Sequence, residues 1–281
     1  MIKKIYFDIE KIPPHLKLKK EEIKNIVKNK IREVRNYFKK FKFKTAVIGV
    51  SGGIDSALSA TLIVKALGPK NVYFARMPYY GVSSKGSLFL AEKLAKNLKL
   101  PRKNLITISI NKPVNESWKI LKKFKGGNLK IRKGNLMARE RMKILFDLST
   151  AKKAIVVGSE DKSENLLGYY TIGGDRVSGI ETINNLYKTQ VYQVASFFKE
   201  IPEEILMKAP SPELWKGHSE EEEIGASYLE IDTVLSTIED LKISKEKIEK
   251  RFKIKKSKID LILKRREIGK IKGNLPYPIK L

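Results

Sequence analysis

The chain has 281 residues, with 58 Lys and Arg against 31 Asp and Glu and a formal net charge of +27. Hydrophobic residues make up 42%, which is enough for a core, and no apolar stretch approaches the roughly 20 residues of a membrane span. The absence of Cys excludes disulfides, thiolate metal sites and cysteine nucleophiles. The N-terminus does not resemble a secretory signal, so we expect a cytoplasmic protein. Abundant Lys, Glu and Ile without Cys are also typical of a thermophile.

The positive charge is concentrated at the two ends of the chain. Residues 1–45 carry 15 basic and 5 acidic side chains, and residues 242–281 carry 15 and 4, whereas residues 46–241 carry 28 and 22. The apolar stripe of Glu21–Lys40 favours helices with solvated lysine faces. Nucleic acid is a possible partner but is not favoured, because no aromatic and basic pattern of an RNA-binding module is present.

The middle of the chain alternates β-branched runs with helical patterns. This alternation predicts an α/β fold, a doubly wound parallel sheet with helices on both faces and a helical C-terminal extension. We expect an N-terminal helical segment at 1–44, a catalytic domain at 45–240 and a basic helical extension at 241–281. Ligands of such sheets bind at the carboxyl ends of the strands. The predicted strands are 45–50, 71–76, 105–110 and 154–159, with helices at 54–67, 84–98 and 136–149.

The loop after the first predicted strand has the sequence Ser51-Gly-Gly-Ile-Asp-Ser56. Its glycines allow a sharp turn, and the unpaired N–H groups of the following helix favour a phosphate ligand. Asp55 would repel phosphate unless Mg²⁺ lies between them. The alternative is a plain turn in which Asp55 caps the helix. The loop lacks the lysine of a Walker motif, which argues against ordinary γ-phosphoryl transfer.

Several further motifs follow in order along the chain. Together with the SGGIDS loop they resemble ammonia-dependent NAD synthetase, a family of the N-type ATP pyrophosphatase superfamily. The motifs are Met77-Pro-Tyr79, Gly134-Asn-Leu-Met-Ala-Arg139, Gly158-Ser-Glu-Asp-Lys-Ser-Glu164, Gly168-Tyr-Tyr-Thr171, Gly174-Asp175, Leu186-Tyr-Lys-Thr-Gln190 and Ala209-Pro-Ser211.

The resemblance implies an adenine nucleotide alpha-hydrolase-like fold and a ligase that forms a C–N bond. In this family ATP adenylates the nicotinate carboxylate of deamido-NAD with release of pyrophosphate, and ammonia then displaces AMP to give NAD. It also implies a homodimer, for which the helix Glu21–Lys40 and the segment 114–149 are candidate interfaces. Because the chain has no Cys for a cysteine glutaminase, we expect free ammonia or ammonia from a separate partner as the nitrogen source.

The resemblance also implies roles for individual residues. Asp55 and Lys188 would be catalytic, and Asp55 and Glu164 would bind Mg²⁺. ATP would contact Gly49, Val50, Ser51, Gly52, Gly53, Ile54, Asp55, Ser56, Ser159, Lys188 and Ser211. Deamido-NAD would contact Arg139, Asp175 and Lys272. The alternatives are a helix-face ion pair for Arg139, a first-turn helix acid for Glu164 and a surface lysine for Lys188. We expect both histidines, His15 and His218, on the surface.

The sequence departs from the family pattern in three places, and all three concern binding of the acid substrate. Ile172 replaces a usual lysine, Gly179 stands where an aspartate is expected, and Ile271-Lys-Gly273 retains only the lysine of a His-Lys-Arg triplet. Either the same dinucleotide is bound by other residues, with Arg176 as one candidate, or the enzyme adenylates a different acid or an RNA base. A non-catalytic nucleic-acid-binding protein is the remaining alternative.

Overall fold

A parallel five-stranded sheet forms the centre of the protein. The computed structural model describes residues 3–276 and residue 279. All strand pairs are parallel and the spatial order is β3-β2-β1-β4-β5. This arrangement confirms the predicted α/β parallel sheet. The strands are β1 (Thr45–Gly49), β2 (Val72–Arg76), β3 (Leu105–Thr107), β4 (Ala154–Gly158) and β5 (Ile180–Glu181).

Helices surround the sheet in the described part of the chain, and none of those helices is long and apolar enough to cross a bilayer. They are α1 (Lys20–Lys40), α2 (Ile54–Leu67), α3 (Lys85–Asn97), α4 (Asn111–Leu121), α5 (Leu129–Lys152), α6 (Lys162–Leu167), α7 (Lys188–Ala195), α8 (Glu203–Met207), α9 (Glu220–Ile224), α10 (Tyr228–Glu239), α11 (Lys245–Phe252) and α12 (Lys256–Gly273).

The central strands are buried on both faces, as their continuous β-branched sequences predict. Ala46, Val47 and Ile48 of β1 are fully buried, and Ala46 pairs with Val72 of β2 and Ile155 of β4. Because the strands are parallel, their carboxyl ends meet at one edge of the sheet. The loops that follow β1, β2 and β4 therefore converge there and build the candidate site.

Both terminal segments contribute to the main hydrophobic core. The stripe of α1 is buried through Ile23, Val27, Val34 and Phe38, as its spacing predicts, while most of its lysines are exposed. Near the C-terminus, Ile248, Ile259 and Ile262 join the same cluster. The three predicted regions thus share one core, and their boundaries stay a prediction.

Four details of the predicted elements differ from the structure. The third strand ends at Thr107 instead of residue 110, and the unpredicted helix α4 begins at Asn111. Helix α5 begins at Leu129, well before residue 136, because Asn128 accepts hydrogen bonds from the first N–H groups of the helix. Strand β5 has only two residues and was not predicted. Its sequence is too short to show an alternating pattern.

Candidate active site

The SGGIDS loop turns sharply between β1 and α2. Gly52 has φ of +82°, and a Cβ atom there would lie 2.3 Å from the carbonyl oxygen of Ser87, so only glycine fits. The hydroxyl of Ser56 donates to the carbonyl oxygen of Gly53 and lies 3.1 Å from the hydroxyl of Ser51. The N-cap residue Gly53 has no side chain, so the first N–H groups of α2 remain available to a ligand.

A cavity of about 280 Å³ opens beside this loop at the carboxyl edge of the sheet. Most of the predicted site residues line it, which brings together positions that are far apart in the sequence. Four predicted residues, Gly52, Arg139, Lys188 and Lys272, are not part of its wall in the described structure. The predicted residues that line the cavity are Gly49, Val50, Ser51, Gly53, Ile54, Asp55, Ser56, Ser159, Glu164, Asp175 and Ser211.

Lys188, the first residue of α7, lies just behind the cavity wall and is fully buried. Its Nζ atom lies 2.8 Å from Asp55 Oδ2, 2.9 Å from Asp161 Oδ2 and 2.8 Å from Glu164 Oε1. The alternative of a surface lysine is therefore wrong. Asp55, Asp161 and Glu164 enclose its ammonium group, and we call these three residues the carboxylate cage.

The cage keeps its lysine charged. Burial alone would lower the pKa of Lys188, but the three carboxylates outweigh burial and raise it well above its usual range. Burial raises the pKa of Asp55 to about 6, although the neighbouring Lys188 opposes this shift. Removing the lysine would leave three carboxylates close together in a site with little water.

The same three carboxylates have a geometry that suits a divalent cation. One oxygen from each of Asp55, Asp161 and Glu164 lies within 4.8 Å of the others. Asp161 is the N-cap of α6 and Glu164 is its third residue, so a capping box fixes both side chains. Oxygen ligands of this kind are those that Mg²⁺ prefers. Asp161 belongs to the Gly158–Glu164 motif, but no role was predicted for it.

The predicted residues for the acid substrate lie apart from one another. Asp175 lies in the cavity wall and is exposed to solvent, and its carboxylate accepts a hydrogen bond from the Thr171 N–H at 2.7 Å. Arg139 is exposed, and its Nε donates to the carbonyl oxygen of Ile172. The ammonium of Lys272 donates to the carbonyl oxygens of Gly168 and Tyr170. Their roles in binding the acid stay predictions.

The three departures from the family pattern are also outside the cavity wall in the described structure. Ile172 is 46% exposed. Gly179 packs on the sheet, where its N–H donates to the Val156 carbonyl and its own carbonyl accepts from the Tyr37 hydroxyl. Arg176, the candidate replacement for the missing lysine charge, lies over the Tyr170 ring at 4.5 Å from its centroid.

Several cavity residues had no predicted role in binding. Arg141 is half-buried and its Nε donates to the Met77 carbonyl, and desolvation lowers its pKa to about 10. Lys208 pairs with Glu213 at 2.9 Å in the cavity wall. Glu220 is buried, and its carboxylate accepts a hydrogen bond from Tyr228. Glu220 belongs to an acidic run, a pattern that is typical of exposed sequence, so no signal distinguished it.

The prediction that the histidines lie on the surface was wrong for His218. This residue is only 6% exposed, its Nε2 lies 2.6 Å from Glu223 Oε2, and its ring stacks on Trp215. His15 is half-buried and lies 2.8 Å from the hydroxyl of Ser236. Ser236 is distant in the sequence, and Glu223 lies in the short helix α9 beside the loop that holds His218, so local patterns could not reveal these contacts.

Comparison with known proteins identifies the family. The sequence model described as NAD synthase matches residues 26–276. The NH₃-dependent NAD⁺ synthetase of Fusobacterium nucleatum is 38% identical over 260 residues, which cover 92% of this chain and 96% of that protein. The chain belongs to the NAD synthase family. The resemblance drawn from the motifs, the ligase class and the ammonia-dependent NAD synthetase function are thereby confirmed.

Solved structures agree with this family assignment. An NH₃-dependent NAD synthetase from Campylobacter jejuni has a TM-score of 0.73 and 30% identity, covering 92% of this chain and 99% of that one. An NMN synthetase from Francisella tularensis has a TM-score of 0.80 and 27% identity with the same coverage. The fold is thus that of NAD synthases, and one of the similar structures is named an NMN synthetase.

Glu181 is a further carboxylate beside the site, at the end of β5. It accepts hydrogen bonds from the Ser178 hydroxyl at 2.7 Å and from the Glu160 N–H at 3.2 Å. A Cβ atom on Gly158 would overlap its carboxylate, so the glycine of this NAD synthase motif leaves room for it. Burial raises the pKa of Glu181 from 4.5 to about 7. The ionised form therefore destabilises the folded protein above pH 7.

Glu181→Gln should stabilise the protein in a pH-dependent way. Because the pKa of Glu181 is higher in the folded state, the stability of the wild type falls as pH rises from about 4.5 to 7. Glutamine cannot ionise, so the variant does not lose this stability. We expect a melting temperature higher by about 2–5 °C at pH 8, which corresponds to ~1–2 kcal/mol, and little change at pH 5. The exposed control Glu21→Gln should change little at either pH. An equal effect of Glu181→Gln at both pH values would contradict this account.

Proposed function

We propose that the cavity adenylates a nicotinate carboxylate with ATP and then exchanges AMP for ammonia. The observation that supports this most directly is that the SGGIDS loop, which includes Asp55, lines one cavity with Glu164 at the carboxyl edge of the sheet. A carboxylate oxygen attacks the α-phosphorus of ATP, and the bond to pyrophosphate breaks. Ammonia then attacks the acyl carbon, AMP leaves with the bonding electron pair, and the nitrogen loses a proton.

The residues of the cavity have separate roles in this proposal. The free N–H groups at the start of α2 and the hydroxyls of Ser51 and Ser56 bind the departing pyrophosphate. Ser159 and Ser211, which also line the cavity, contact ATP in this proposal. Asp55 and Glu164 would hold Mg²⁺, which supplies positive charge to the phosphates when it is bound. Lys188 adds a second positive charge there.

The remaining partners follow from the same reaction. Free ammonia is the proposed nitrogen donor, because the chain has no Cys with which to hydrolyse glutamine. Arg139, Asp175 and Lys272 are the proposed contacts to deamido-NAD. A cytoplasmic location also remains a prediction. A chain without Cys has no disulfides that a reducing compartment could break.

Deamido-NAD is the first candidate for the acid, because the curated relatives are NAD synthetases. A second candidate is nicotinate mononucleotide, the acid that corresponds to NMN. Two observations favour nicotinate mononucleotide as a candidate. One is the similarity to the Francisella NMN synthetase, and the other is the departure from the family pattern at Ile172, Gly179 and Gly273. A mononucleotide lacks the adenylate half and needs fewer contacts outside the ATP cavity.

A substrate panel tests the proposal. Pyrophosphate release is measured with Mg-ATP and ammonium in the presence of deamido-NAD, nicotinate mononucleotide or unrelated carboxylic acids, and the amide product is identified by chromatography. We expect turnover with deamido-NAD and none with glutamine in place of ammonium. Turnover only with the mononucleotide would move the assignment to NMN synthesis, and turnover with neither nicotinate acid would contradict the proposal.

We further propose a homodimer that uses the region of α4 and α5. Apolar side chains are exposed there in an otherwise basic segment, and a second copy of the chain would remove them from water. They are Ile120, Leu121, Phe124, Leu129 and Ile131.

Sedimentation at micromolar concentration tests the dimer. We expect twice the chain mass of 32.1 kDa for the wild type, and a single-chain mass for Phe124→Glu combined with Ile131→Glu, because charges there oppose burial. Phe89→Glu, an exposed apolar position on α3, is the control and should remain dimeric. A monomeric wild type would contradict the proposal.

A further inference from the structure

The carboxylate cage is arranged around one centre, and that centre holds the ammonium of Lys188. All three contacts of Nζ are between 2.8 and 2.9 Å. The three oxygens that could bind a metal come from the same three residues. A cation of small radius with oxygen ligands at about 2.1 Å would need the position that the ammonium now holds.

Two oxygens of the cage have no hydrogen-bond partner among the described residues. These are Asp55 Oδ1 and Asp161 Oδ2, and both are buried from solvent. Asp161 Oδ2 lies 2.9 Å from the ammonium, but not in a direction suited to a hydrogen bond. The other oxygen of Asp161 accepts from the Glu164 N–H at 2.8 Å. A buried carboxylate oxygen without a hydrogen-bond donor is costly for a protein unless a cation lies beside it, as the ammonium does beside Asp161 Oδ2.

We propose that Lys188 and Mg²⁺ are alternative occupants of the carboxylate cage, and that Asp161 is its third carboxylate ligand. The proposal rests on the proposed function, which assigns Mg²⁺ to Asp55 and Glu164. It goes further by adding Asp161, which is fully buried, and by making the lysine a competitor of the metal.

Electrostatics explains why the two cations exclude each other. The cage carries up to three negative charges, so it attracts a cation strongly, but an ammonium and a divalent ion a few ångströms apart repel each other in a site with little water. Lys188 can leave without unfolding its helix, because its backbone N–H stays bonded to the Ser163 hydroxyl at 3.0 Å while its side chain is long and flexible.

The exchange would have a consequence for catalysis. Asp55 and Glu164 form part of the cavity wall, so an ammonium that leaves the cage on that side enters the space proposed for the ATP phosphates. Lys188 would then reach the phosphates only after the metal is in place. In the metal-free protein the same lysine neutralises part of the cage and preserves its shape.

Metal titration in the absence of nucleotide tests the exchange. Mg²⁺ binding to the full chain is measured by calorimetry for the wild type and for Lys188→Met, which keeps the length of the side chain and removes its charge. We expect at least tenfold tighter binding by Lys188→Met, because the competitor is gone, and loss of most of that gain when Asp161→Asn is added. Lys208→Met is the matched control, since Lys208 also pairs with a carboxylate at the cavity but outside the cage.

Unchanged or weaker Mg²⁺ binding by Lys188→Met would overturn the competition, and an unchanged affinity after Asp161→Asn would overturn the role of Asp161. If Lys188→Met does not fold, the wild type decides the question by NMR of ¹⁵N-labelled lysine side chains. We expect one slowly exchanging ammonium signal that disappears when Mg²⁺ is added. Persistence of that signal at saturating Mg²⁺ would overturn the proposal.

These measurements use no ATP and no acid substrate. Failure of the exchange is therefore distinguishable from failure of the proposed function, which is measured by pyrophosphate release. A protein that makes NAD but shows no exchange would refute only the present inference.

Discussion

The buried ammonium of Lys188 connects three segments of the candidate site. Its three carboxylates come from the start of α2 and from the loop and first turn of α6, so one cation joins the segments that follow β1 and β4 to helix α7. Three clustered carboxylates without a cation would repel one another and resist burial. The shape of the cavity therefore depends on a positive charge at this point, supplied by the lysine or by a metal.

The remaining charge of the molecule has a different distribution. Much of the net charge of +27 lies in the terminal segments, whose apolar faces join the core while most of their lysines face solvent. The cavity region combines two cations, the half-buried Arg141 in the wall and the buried Lys188 behind it, with several carboxylates. The bulk charge affects solubility and the long-range attraction of anions. The individual charges at the cavity are separate from it.

The geometry of the SGGIDS loop, which we propose binds ATP, was predictable from sequence, because a strand, a glycine turn and a helix start are local features. The burial of Lys188 and the place of Asp161 in its cage were not, since they depend on how α7 packs against α2 and α6. Strand β5 and the pairing of His218 with Glu223 involve too few residues to leave a pattern. The acid-binding half stays a prediction, because Arg139 and Lys272 lie apart from the cavity wall of the described structure.

The central claim is that the nicotinate carboxylate is activated by attack on the α-phosphorus of ATP. The test uses deamido-NAD labelled with ¹⁸O in both oxygens of that carboxylate. It is incubated with the enzyme, Mg-ATP and ammonium, and the products are analysed by mass spectrometry. The account predicts one ¹⁸O atom in each AMP released and none in pyrophosphate. Unlabelled AMP, or label in inorganic phosphate, would contradict it, because the carboxylate oxygen would then not have bonded to the α-phosphorus.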